Sequence, residues 1–256
     1  MSSFGGRRWG PPLLVVVAIV VAWEAYCRLS GISAVALPAP TRVVEQLWAF
    51  RGDAVRHAIP TLVETGVGLV VSVLVSIGAA VAMDRFVTVR RALQPLLVAS
   101  QTIPVVAIAP LLVLWFGFGL APKVFIVVLV TFFPITIALL DGFAAATAES
   151  TDLLRSFGAD RTQVFRRLRW PAALPSFFTG LRIAATYGVI GAVFGEYVGA
   201  YEGLGIWMQI SQNAFRTDLV FGAVLLSALL SIALFALVTT AERLLIPWYR
   251  ASRAAR

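Results

Sequence analysis

Glu64, Gln101, Thr102, Tyr187 and Glu196 all sit inside long apolar stretches of this chain. Polar side chains at such positions are costly, so they tend to mark a route for a solute or a contact between helices. For Glu64 and Glu196 the competing role is interfacial solvation or a helix–helix hydrogen bond. For Gln101 and Thr102 it is repair of the backbone beside Pro104. Tyr187, with Trp115, Tyr197 and Trp207, offers rings that stack on a flat ligand or anchor at a lipid–water interface. Groups suited to bond making are sparse. One cysteine, Cys27, and one histidine, His57, provide no disulfide framework and no thiolate metal cluster. Cys27 reads as a packing residue, and His57, close to Pro60, as a loop or helix-start residue. A membrane-embedded enzyme would need clustered His, Asp or Glu at depth, and the pattern lacks them. No Gly-x-x-x-x-Gly-Lys-[Ser/Thr] phosphate loop occurs either.

The elements that hold these residues are read from composition. The chain has 256 residues, 59% hydrophobic and 13% charged, against about 25% charged in a soluble domain. A helix needs about 20 mainly apolar residues to cross a bilayer, and six stretches qualify: 11–30, 61–83, 93–116, 122–141, 177–199 and 219–241. The expected fold is an all-α polytopic membrane protein. Its parts are a tail at 1–10, a first span at 11–30, an outer segment at 31–60 and a five-span core at 61–245. That core contains a loop at 142–176, and a basic tail follows at 246–256. Within the outer segment, Val43, Val44, Leu47 and Phe50 recur at helical spacing and predict a short amphipathic helix. Gly66, Gly68, Ser72, Ser76 and Gly78 predict close approach of span two to a neighbour. Pro95, Pro104 and Pro110 predict an irregular span three, and Pro134 a kink in span four. In span five Gly191, Gly195 and Gly199 fall four apart, as do Ala184, Gly188 and Ala192, so this helix should be central and tightly packed.

The net charge of +8 follows membrane topology, not a nucleic-acid partner. With the N-terminus placed inside, most of the 21 lysines and arginines fall on the inner side. Arg28, Arg42, Arg51, Arg56, Lys123 and Arg216 form the outer minority, which fits the positive-inside rule. Both termini are then cytoplasmic. The order Arg7-Arg8, apolar run, Ala34-Val35-Ala36 also resembles a cleavable secretory signal; the preferred reading is an uncleaved first span, and the later topology is the same either way.

Thr151–Pro175, TDLLRSFGADRTQVFRRLRWPAALP, is charged and glycine-broken. Arg155, Arg161, Arg166, Arg167 and Arg169 exclude it from lipid. Thr151 is expected to cap a short helix that Gly158 ends. Asp160 and Gln163 have capping-box spacing for a second helix, Arg161–Trp170, stopped by Pro171. Such a pair suits insertion into a groove on a partner. The alternative is a solvated basic loop resting on anionic lipid.

The segment resembles the cytoplasmic loop of membrane permeases of bacterial ABC importers. That loop reads Glu-Ala-Ala, three residues, Gly, nine residues, Ile, any, Leu-Pro, and Asp152-Leu-Leu, Gly158 and Leu168-Arg-Trp-Pro171 align with it without gaps. Asp stands for Glu, two leucines for the alanines and Trp for Leu. Leu37-Pro-Ala-Pro-Thr, Pro110-Leu-Leu-Val-Leu-Trp-Phe-Gly-Phe-Gly, Phe132-Phe-Pro and Gly203-Leu-Gly resemble the sulfonate/taurine/nitrate branch. Gln101-Thr-Ile-Pro, Thr61-Leu-Val-Glu and Gly191-Ala-Val-Phe-Gly-Glu are most similar to permeases for thiamine pyrimidine precursors, with riboflavin permeases close by.

The resemblance implies a type I ABC importer permease in the inner membrane. Its partners would be ATP-binding-cassette ATPase subunits, an extracytoplasmic substrate-binding protein and a second permease copy, a homodimer by the habit of the branch. ATP and Mg would bind the ATPase, so the chain needs no cofactor of its own. The coupling positions carried over are Asp152, Gly158, Leu168 and Pro171, joined by Phe157, Ala159, Arg161 and Phe165 from their place in the helix pair. Energy would arrive through that loop. A secondary transporter, the competing class, needs no such loop and often shows internal repeats; none is visible.

Overall fold

The computed structural model describes residues 10–248, the side chain of Pro12 excepted. Arg7, Arg8, Arg250, Arg253 and Arg256, which enter the charge comparison, lie outside the described residues, with most of the two expected tails. Every described regular element is helical: α1 (Gly10–Leu29), α2 (Pro40–Ala49), α3 (Arg51–Arg85), α4 (Val87–Thr102), α5 (Val105–Phe116), α6 (Leu120–Ala144), α7 (Ala148–Ser156), α8 (Arg161–Val164), α9 (Trp170–Gly199), α10 (Leu204–Asn213) and α11 (Thr217–Leu245). A π-helical turn, Phe165–Arg169, joins α8 to α9.

Among the described residues, α3, α6, α11 and the continuous run Arg161–Gly199 are each long and apolar enough to cross a membrane. α4 and α5 make a fifth crossing if counted as one span bent by 102°. α1, 20 residues long with Leu13–Val21 facing outward, coincides with the expected first span. The break in the third span falls at Ile103–Pro104, where both residues are extended. Proline lacks the N–H for the helix ladder and drives the preceding residue out of the helical region. Pro95 and Pro110 stay inside their helices, so one of the three prolines makes the break.

α9 packs against both α6 and α3, and its small residues make that possible. A Cβ on Gly191 would lie 2.9 Å from Val130, and one on Gly195 would lie 3.3 Å from Ile126 and from Lys123, both on α6. On the other flank a Cβ on Gly188 would meet Thr65 of α3 at 3.2 Å. The predicted central glycine helix is therefore present. In α3 the expectation holds in part. Gly68 meets Val127 too closely to accept a Cβ, and Ser72 and Ser76 are buried, but Gly66 and Gly78 have nothing within 4 Å. The 3.6-residue turn puts those two on the opposite side.

α3 and α6 run parallel, with α9 antiparallel to both, as Glu64–Lys123 and Ser76–Phe132 on one side and Gly195–Ile126 and Gly142–Ala173 on the other require. One end of the molecule gathers α2, α10 and the starts of α3, α6 and α11. The opposite end gathers α7, α8 and the start of α9. α2 has the expected amphipathic character and seats Leu47 against Gly222 of α11. α3 already begins at Arg51, so His57 is a helical residue and not part of a loop.

Candidate functional site

The α7–α8 turn is built by local chemistry. Thr147, not Thr151, caps α7, its hydroxyl accepting from the Ser150 N–H at 3.3 Å; Thr151 Oγ1 donates to the Thr147 carbonyl instead. α7 ends in a Schellman motif. Gly158 sits at φ +82°, its N–H donates to Arg155 O at 2.8 Å, and the Ala159 N–H donates to Leu154 O at 3.1 Å. Asp160 and Gln163 form the expected capping box in both directions, at 2.7 and 3.0 Å. The second helix does not stop at Pro171. It runs on as Arg161–Gly199, because the π turn Phe165–Arg169 loosens the ladder just ahead of the residue that lacks an N–H.

The segment has a free side and an anchored side. Phe157 is 81% and Leu153 59% exposed, and Asp152, Gly158 and Arg161 are exposed with them, Ala159 half so. Phe165, Leu168 and Pro171 are half-buried and turn toward the protein. The Phe165 ring stands 5.4 Å from Phe143 of α6 and 6.2 Å from Trp170. Arg169 donates to Asp84 at the end of α3 at 2.7 Å. Of the eight coupling candidates the structure thus groups Asp152, Phe157, Gly158, Ala159 and Arg161 at the tip, and Phe165, Leu168 and Pro171 at the root. Asp84 and Phe143, which complete the root, carry no local sequence signal.

At the opposite end lies a buried polar cluster. Lys123, the only lysine of the chain, donates to Glu64 Oε1 at 2.6 Å with both side chains below a tenth exposed. Glu196 is fully buried. It accepts from the Gly205 N–H at 2.6 Å, and its other oxygen lies 2.5 Å from the Thr61 hydroxyl. Thr61 accepts from the Leu204 N–H at 2.9 Å, and His57 Nδ1 accepts from the Gly203 N–H at 3.1 Å. The first free N–H groups of α10 are therefore capped by side chains of α3 and α9, with a carboxyl at the positive end of the helix dipole. The Gly203-Leu-Gly205 landmark follows from this. A Cβ on Gly203 would collide with the Glu196 carboxyl and one on Gly205 with the Val193 carbonyl. Trp207 is stacked on His57, ring centroids 5.7 Å apart and planes within 4°.

Between these ends a groove of about 680 Å³ opens between the α4–α5 bend, α6 and α9. Gln101 and Tyr187 line it, with Phe133 and Phe194. Thr102 does not; its hydroxyl donates to the Ala99 carbonyl at 2.8 Å. Glu64 and Glu196 are not part of its wall. The structure brings two of the five polar candidates to the groove and two to the buried cluster.

The sequence matches the family described as binding-protein-dependent transport system inner membrane component over residues 72–251. It is 40% identical to the formylaminopyrimidine transport permease protein ThiX of Halalkalibacterium halodurans, over 93% of this chain and 95% of that protein. It is 35% identical to the riboflavin transport system permease protein RibX of Chloroflexus aurantiacus, over 97% and 93%. Identity to the taurine transport system permease protein TauC of Escherichia coli is 30%, over 91% and 88%.

Proposed function

Because this chain belongs to the family of binding-protein-dependent transport system inner membrane components, and so is a permease of an ABC importer, we propose that its α7–α8 turn is the grip of a cytoplasmic ATPase and that the groove beside α9 is part of the solute route. The observation that carries this is the division of the turn into an exposed tip and an anchored root. Leu153 and Phe157 present apolar surface at the tip, the kind of short helical element a partner groove accepts. At the root, Arg169–Asp84 engages α3, Phe165–Phe143 engages α6, and α9 continues from α8 without a break. A push on the tip therefore reaches all three central helices.

The arginine bias supports placing this end in the cytoplasm: Arg85, Arg90, Arg91 and the arginines of α7–α9 gather here. Nucleotide-driven closure of the ATPase pair would rock the spans and open the route outward, then inward. ATP and Mg act in the partner. A second permease copy, taken as identical, completes the pathway, and a binding protein delivers the solute at the opposite end.

The cargo we favour is a thiamine pyrimidine precursor or a similar heteroaromatic vitamin precursor, on the similarity to the formylaminopyrimidine permease. Riboflavin or an alkanesulfonate such as taurine is the second reading, on the similarities to those permeases. Gly158→Leu tests the coupling. The backbone at φ +82° resists a side chain, so ATP-driven uptake in vesicles should be lost and the ATPase should co-purify poorly. Unchanged uptake would contradict the coupling role, and uptake without any ATPase would favour a secondary transporter.

A further inference from the structure

Among the described residues the groove carries one carboxyl group that none of the preceding assignments uses. Asp141, on the last turn of α6, is exposed and lines the groove with Thr179 across from it on α9. Among the described residues its carboxylate has no ion-pair or hydrogen-bond partner. Among the described residues no lysine or arginine lines the groove. The arginine closest along α9, Arg182, is committed to Glu242 of α11 and donates to Thr179 Oγ1 at 3.0 Å. The rest of the wall is mostly apolar and aromatic, with Phe133, Tyr187 and Phe194, and Ser100 and Gln101 add polar groups from α4.

We propose that Asp141 is a specificity-determining residue of this groove, admitting flat nitrogen heterocycles that carry an N–H or a positive charge and turning away sulfonate-type anions. The inference rests on the permease reading and narrows it to a solute class. A lone carboxylate on a largely apolar wall accepts N–H groups strongly and repels anions. The rings supply faces for a planar solute. The Gln101 amide offers a donor and an acceptor side by side, the arrangement that reads the edge of an aminated heterocycle.

The test is saturation-transfer NMR on the detergent-solubilised permease–ATPase complex, titrated with 4-amino-2-methylpyrimidine and with taurine. The aminopyrimidine should bind in preference to taurine. Asp141→Asn should weaken its apparent Kd by about tenfold, the loss expected for one charge-assisted contact, and Asp141→Lys should reverse the preference. A merely structural Asp141 would weaken both probes together and leave their ratio unmoved. An unmoved ratio, wild-type preference for taurine, or no binding of either probe overturns the proposal. ATPase stimulation by the loaded binding protein, measured on the same preparation, reports on the permease reading separately. Stimulation without the selectivity sinks only the assignment of Asp141; its absence sinks the reading beneath it.

Discussion

Lys123 and Glu64 show what a single pair does in this molecule. Both are buried, and the second Glu64 oxygen has no hydrogen-bond partner among the described residues. Removing one member strands the other, at a cost of about 3–5 kcal/mol, whereas replacing both with apolar residues of similar size is often neutral. Lys123→Met should therefore lower the melting temperature of the solubilised permease sharply, and Lys123→Met/Glu64→Leu should recover most of it; a double variant no better than the single one would argue against the pair. Glu196→Ala leaves the Gly205 N–H and the Thr61 hydroxyl without their carboxyl, at about 1–3 kcal/mol. Glu196→Gln, which keeps an acceptor for Gly205, should lose less in the same assay. Glu64 and Glu196 were conspicuous in the sequence as charges in apolar runs. Their partners were not, because Thr61 and Glu196 are 135 positions apart and Glu64 and Lys123 are 59 apart. Hydropathy reports depth and says nothing of which helix faces which.

Among the elements, α9 was the most legible and also the most instructive where the reading failed. Its glycine stripe announces close packing because only a missing side chain lets α6 approach. Gly191→Leu, driven into Val130, should cost at least about 1–3 kcal/mol as overpacking. Gly78→Leu, on the open side of α3, should leave the melting temperature of the solubilised permease nearly unchanged; equal losses would mean the stripe does not set the packing. The capping box and the glycine turn were legible too, since both depend on residues within three or four positions. Pro171 misled because a proline ends a helix only when the ladder cannot adapt, and here a π turn adapts it. The three prolines of the third span signalled irregularity without saying which would break the chain. Tertiary packing leaves Pro95 and Pro110 within helices and puts the break at Pro104.

For the whole molecule the arrangement is one of two ends joined by a stiff centre. At one end the α10 cap ties α3, α9 and α10 together through Glu196, Thr61 and His57. At the other, the α7–α8 turn ties α3, α6 and α9 through Asp84, Phe143 and Phe165. α3 and α9 are common to both, so a displacement at one end has a packed route to the other. The central claim is that the tip of this turn faces the cytoplasm and is covered by the ATPase. A Cys27→Ser/Phe157→Cys variant carries its only thiol at that tip. Membrane-impermeant maleimide should label it in inverted vesicles and not in intact spheroplasts, and bound ATPase subunit should abolish the labelling. Labelling from the outside, or labelling in inverted vesicles that the ATPase leaves undiminished, would contradict the account.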